Sequence, residues 1–142
     1  MDDEILTDLM NFAFKHDIGF TATDRLSPVT PSAVDTETRR IVLNLNWHIK
    51  RQIPYQFAHE IGHIINGDHA NGPLYFTPGK NRIEFEANRS AVKLIMPYYL
   101  YDRRADQINP LEFMHAFAIP SHLESMVESE LRKACPIDVI SE

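Results

Sequence analysis

Pro54-Tyr55-Gln56-Phe57-Ala58-His59-Glu60-Ile61-Gly62-His63-Ile64-Ile65-Asn66-Gly67 is the stretch on which the reading of this chain turns. Pro54 suits the first turn of a helix, where its missing N–H costs nothing. Gly67 is a natural C-terminal stop. The stretch predicts a helix from Pro54 to about Asn66. Phe57, Ala58, Ile61, Ile64 and Ile65 give it a broad apolar face, and His59 and His63 fall on the opposite side. Residues four apart on a helix lie one turn apart on one face. The two imidazoles therefore converge on one point, as a zinc ion bound through nitrogen requires. Glu60 sits beside the position such an ion leaves open, where it can take a proton from bound water. Gly62 has no side chain, so another element can pack close beside the site. Chance alone yields about 0.02 such H-E-x-x-H pentads in a chain of this composition, so context has to supply a third ligand and a cleft.

The chain has 142 residues, which fits a single domain over 1–142 with a real core. Hydrophobic content of 44% and charged content of 24% place it with folded soluble proteins rather than disordered or membrane chains. Met1-Asp2-Asp3-Glu4 is acidic where a secretory signal would be basic. The single Cys135 has no intramolecular disulfide partner. Both features point to the cytoplasm. No stretch approaches a membrane span. A net charge of −6 argues against a broad nucleic-acid-binding surface. Arg39-Arg40, Lys50-Arg51 and Arg103-Arg104 are the local basic clusters, more simply read as solvated charges.

Upstream, Ile5, Leu6, Leu9, Phe12 and Ala13 recur at helical spacing and predict a first helix from Asp2 to His16. Gly19 to Thr23 reads as a short strand. Ser32 to Val34 and Arg39 to Asn46 read as two strands around a turn at Asp35-Thr36-Glu37-Thr38. Ile41, Leu43 and Leu45 alternate with Val42, Asn44 and Asn46, the pattern of a strand with one buried face. Downstream, Asp68 to Asn81 is a loop rich in Gly and Pro, including Pro78-Gly79. A helix from Arg82 to Met96 follows, ended by Pro97. Asn109-Pro110-x-Glu112 and Ser121-x-x-Glu124 have capping-box spacing and start two further helices. The second carries Leu123, Met126, Val127 and Leu131 on one face. The order is an α+β layout with a small, mostly antiparallel sheet.

Catalytic zinc normally takes three protein ligands. Two residues compete for the third place. Glu84 shares a helical face with Ala87, Asn88, Ala91 and Ile95. The alanines let that helix approach the first closely, and Asn88 would stand one turn on as a group that orients a ligand histidine. His69 is the rival, because His59-Glu60-x-x-His63-x5-His69 has the spacing of H-E-x-x-H-x-x-G-x-x-H. Asn66 replaces the glycine there, and no Met-turn follows. Glu86 is about 200° from Glu84 on the wheel, so it faces away. His16, His48, His115 and His122 are isolated and read as surface or packed residues. Tyr55, Tyr75, Tyr98, Tyr99 and Tyr101 are candidate oxyanion donors, Tyr75 foremost because it follows the motif helix.

Arg51-x5-Phe57-Ala58-His59-Glu60-Ile61-Gly62-His63, followed by Glu84-Phe85-Glu86-Ala87-Asn88-x-x-Ala91-x-x-Leu94-Ile95-Met96-Pro97, resembles the ImmA/IrrE family of zinc metallopeptidases. The resemblance covers roughly Ile41 to Pro97. It implies a minimal zincin-like α+β domain, with zinc on His59, His63 and Glu84 and with Glu60 as general base. It is similar to the gluzincin arrangement, in which the residue four after the Glu ligand is acidic. Asn88 stands there, and an amide accepts a histidine N–H without bringing charge. The family's members act in bacterial and mobile-element regulation, on helix-turn-helix repressors. The segment Phe113 to Ser121 loosely resembles a helix-turn-helix-like piece after the family's core, but Glu124, Glu128 and Glu130 make the next helix acidic, against DNA binding.

Two functions follow as expectations. The first is a cytoplasmic zinc endopeptidase that cleaves a repressor-type regulator, with Arg39 to Asn46 as an exposed edge that pairs with extended substrate. The second is a catalytically silent zinc module that inhibits its regulator by stoichiometric binding.

Overall fold

A computed structural model describes residues 3–77, 79 and 81–135. Asp2 of the expected first helix and Pro78 of the expected loop lie outside the described residues. Helix α1 spans Asp3–Lys15 and buries Ile5, Leu6, Leu9 and Ala13. The chain reverses through Asp17, whose φ is 57°, into strand β1, Gly19–Thr23. Strands β2, Ala33–Asp35, and β3, Arg40–Asn44, form the expected hairpin. Arg39 closes its turn with a φ of 57°. Strand β4 is only Leu74–Tyr75, inside the segment expected to be a loop. Two residues are too few to show an alternation.

The sheet order is β1-β3-β2-β4. β2 pairs antiparallel with both β3 and β4, while β1 runs parallel to β3 from Gly19↔Arg40 to Thr23↔Asn44. β3 is therefore interior, and the expectation that it is a free edge is corrected. β1 returns beside it and takes up its outer hydrogen bonds. Asn44 is not a solvated strand end either. It is fully buried, and its amide donates to the carbonyls of Ser27 (2.8 Å) and Thr30 (2.7 Å). Among the described residues the free edges are β1 and β4.

Helix α2, Ile53–Ile65, has Pro54 in its first turn as expected. Every residue from Ile53 to Ile64 is buried. Ile65, expected on the apolar face, is 48% exposed. The sheet and α1 cover one side of α2. Helix α3, Arg82–Leu100, covers the other. Asn81 caps α3 by accepting the backbone N–H of Glu84 at 3.0 Å. Pro97 does not end this helix. It removes one hydrogen bond in the last turn, but Tyr99, 5% exposed, anchors that turn by donating from its hydroxyl to Glu112 at 2.6 Å.

Helix α4, Pro110–Phe117, is capped by Asn109 as expected. Ser121 does not cap helix α5, Glu124–Ala134. It opens a single 3-10 turn, and no side chain caps α5. Leu123, Met126, Val127 and Leu131 are buried as read. Glu130 is also buried, and receives Arg89 of α3 at 3.0 Å, so it is not part of an acidic surface. Among the described residues no helix is long and apolar enough to cross a membrane.

Candidate metal centre

The site lies between α2 and α3. The two helices meet closely at Gly62: a Cβ there would stand 2.9 Å from the Ser90 Cβ and 3.0 Å from the Ala87 carbonyl oxygen. Ala87 and Ala91 face this contact and are fully buried. The small residues bring Glu84 across to the histidines. Glu84 Oε1 lies 2.9 Å from His59 Nε2 and 3.2 Å from His63 Nε2.

The other ring nitrogens are already engaged. His59 Nδ1 is 2.8 Å from Asn88 Oδ1, which also accepts the Tyr55 hydroxyl at 2.6 Å. His63 Nδ1 is 2.9 Å from Asp68 Oδ2. An amide oxygen and a carboxylate are acceptors, so each Nδ1 carries its proton. With Nδ1 so committed, each neutral ring aims an Nε2 lone pair at the same carboxylate oxygen. Three lone pairs this close need a cation among them, whether protons or a metal ion. Ligand atoms on a tetrahedral zinc ion stand about 3.3 Å apart, given bonds of about 2.0 to 2.1 Å. The spacings here are close to that.

Glu60 is the other carboxylate. It is completely buried, and among the described residues neither of its oxygens has a hydrogen-bond partner. Ligand-type atoms of His59, Glu60 and His63 lie within 4.8 Å of one another, a grouping able to hold a metal ion. Glu84 makes the closer contact, since it touches both imidazoles at hydrogen-bond length and Glu60 touches neither. A buried, unpaired carboxylate is costly unless a cation or a bound molecule compensates it. The donor set fits a divalent cation.

The electrostatics follow from this packing. Burial, then the charge of Glu84, pushes the Glu60 carboxyl well above its usual range. Burial also works against ionised Glu84, but the hydrogen bonds and charges of His59 and His63 outweigh it and hold its pKa near about 2. Burial is the largest influence on both histidines. It lowers His59 overall, whereas hydrogen bonds that His63 donates to Glu84 and Asp68, with their charges, carry His63 above its usual value.

Of the residues expected at the site, the structure brings together His59, Glu60, His63, Glu84 and Asn88. His69 is exposed on the segment after α2, outside this cluster. Tyr55 is buried behind Asn88, and Tyr75 is 55% exposed on β4. Tyr98 and Tyr99 donate to Asp8 and Glu112 at the far end of α3. Glu86 pairs with Arg89 at 3.4 Å. The expected basic clusters are partly tied into the fold: Arg51 donates to the His115 carbonyl and Arg103 lies over the Tyr99 ring. Asp68 and Phe76 were not anticipated as site residues, and Tyr55, expected as a candidate oxyanion donor, instead donates its hydroxyl to Asn88. Phe76 packs edge-on against His59, with ring centroids 5.1 Å apart. His59, Glu60 and His63 have no exposed surface, and Glu84 has 3%.

A family model described as the IrrE N-terminal-like domain of peptidase family M78 matches residues 14–126, which include every residue of this centre. The chain belongs to the ImmA/IrrE peptidase family. No curated protein and no solved structure matches it. The small mixed sheet and five helices agree with a small zincin-like ImmA/IrrE domain. Membership and the His-Glu-His grouping together support a metallopeptidase-like role.

Proposed function

We propose that this protein is a zinc-dependent endopeptidase acting on a protein partner, with a repressor-type regulator in the cytoplasm as the substrate class. His59 and His63, each through Nε2, and Glu84 through Oε1 would hold the ion, and His69 would not. When bound, zinc supplies a Lewis acid and lowers the pKa of its water toward about 7. Glu60 is the general base. It accepts a proton from the attacking water on a carboxylate oxygen and returns it to the departing amine nitrogen. Asn88 and Asp68 hold the two imidazoles in the tautomer that keeps Nε2 free.

An extended substrate pairs with the free edge of β4. Phe76 donates to the Ser32 carbonyl at 2.7 Å, and Ala33 stands opposite Tyr75. By the alternation of an antiparallel ladder, the Tyr75 N–H and C=O point outward.

The observation that carries this reading is Glu60, buried with both oxygens unpartnered beside the converging lone pairs. A purely structural zinc site has no use for it. The test is Glu60→Gln, assayed for cleavage of a helix-turn-helix repressor protein that the wild-type chain cleaves. Zinc content should stay at the wild-type level while cleavage falls by about 10²- to 10⁴-fold, the usual worth of a general base. Cleavage at the wild-type rate would overturn the mechanism.

A further inference from the structure

The two imidazoles are held from behind by different chemistry. His59 faces a neutral amide, that of Asn88, and His63 faces a carboxylate, that of Asp68. Asp68 reaches His63 through the way α2 ends. Gly67 takes a φ of 73°, the left-handed conformation. Its N–H donates to the Ile64 carbonyl at 3.1 Å, and the Asp68 N–H donates to the His63 carbonyl at 3.1 Å. These two bonds are the reciprocal pair of a Schellman motif, in which the second residue past the C-cap, here Asn66, folds back over the last turn. Here the residue folded over is His63. The Asp68 backbone takes the His63 carbonyl, and the Asp68 side chain, 13% exposed, takes the ring of the same residue at 2.9 Å.

We propose that Asp68 is a positioning residue of the metal centre: it fixes the ring and tautomer of His63 and brings the negative charge that Asn88 does not bring to His59. The inference rests on the metal-binding reading of the site. A carboxylate on Nδ1–H makes the opposite nitrogen a stronger donor than an amide does. His63 is then the better electron donor of the pair, and the helix stop and the metal site share one turn. Glycine at position 67 serves both, because the turn that delivers Asp68 requires a positive φ there.

The test compares wild type, Asp68→Ala and Asp68→Asn. Zinc affinity is read by competition with a chromophoric chelator, and ring tautomers by NMR of the zinc-loaded, 15N-histidine-labelled protein. Asp68→Ala should bind zinc about 10- to 100-fold more weakly. It should also lose the protected Nδ1–H signal of His63 while that of His59 stays. Asp68→Asn keeps an acceptor but not the charge, so it should keep the tautomer and show an intermediate affinity. Wild-type affinity in both variants overturns the inference, as does weaker binding of Asp68→Ala with its His63 signal unchanged. If Asp68→Ala does not fold, Asp68→Asn decides alone: weaker binding supports the proposal, and wild-type affinity overturns it. A wild-type chain that takes no zinc overturns the metal reading, and this inference with it.

Discussion

At the scale of single residues, the metal-free centre is a small charge network with a pH window. His63 stands between Asp68 and Glu84, and its pKa is raised above 6.5. A raised pKa contributes stability that is complete below the unfolded value and lost as pH rises through the folded one. Glu84 runs the other way. Its pKa falls from 4.5 to about 2, so its contribution is complete above 4.5 and lost as pH falls toward about 2. His59 is lowered by burial, so protonating it costs stability as the solution is acidified. The clean measurement is therefore a difference. Unfolding midpoints of metal-free wild type and Glu84→Gln should differ most between about pH 4.5 and 6.5, and the gap should close on either side. A gap that does not change with pH would show that the Glu84 contacts carry no charge.

At the scale of elements, the contact between α2 and α3 positions Glu84, the proposed third ligand, and Gly62 is a close point of that contact. Gly62→Ala would place a Cβ 3.0 Å from a backbone oxygen of α3, and a backbone atom yields only if its helix moves. We expect a loss of about 1 to 3 kcal/mol, as for an overpacked core, together with weaker zinc binding because Glu84 moves with α3. Gly67→Ala acts through the backbone instead of through crowding. Nothing lies within 4 Å of a Cβ there, but φ is 73°, so the cost is backbone strain of about 1 to 2 kcal/mol. Chemical denaturation of both variants, with and without zinc, checks the pair. A Gly62→Ala protein as stable as wild type would mean that the helices are not in close contact.

The same elements show what was legible in advance. His59, Glu60 and His63 could be read because four residues on one helix turn are local geometry. Glu84 needed both the helical wheel and the family pattern, since its distance from the pentad is set by folding. The turn at Gly67 was legible as a stop, and the same rule places the residue immediately after it over the last helical turn. Asp68 therefore had a signal. Phe76 had none, because its approach to His59 depends on the pairing of two-residue β4 with β2. Pro97 misled because the anchor that overrides it, Tyr99 on Glu112, is tertiary. The interior place of β3 was hidden for a similar reason: strand order is not written in the alternation of any one strand.

At the scale of the whole molecule, the apolar core extends well beyond the candidate metal centre. Its apolar residues run continuously from α1 through the sheet and α2 to α5. The metal-free protein should therefore unfold cooperatively, and zinc should raise its midpoint as a bound ligand does, by about 2.7 kcal/mol at one hundred times the dissociation constant. Calorimetry with stepped zinc, reversed by chelator, measures this. A metal-free chain with no cooperative transition would mean instead that the ion is a structural pin.

The burial of the centre has a further bearing on selectivity. A scissile bond must approach Glu60, yet Glu60 has no surface, and Phe76 lies on the first histidine. On the proposed reading, the Phe76 ring would have to give way before a peptide reached Glu60. A peptidase closed in this way would spare bystander proteins by default, and its target would be a partner able to open the centre.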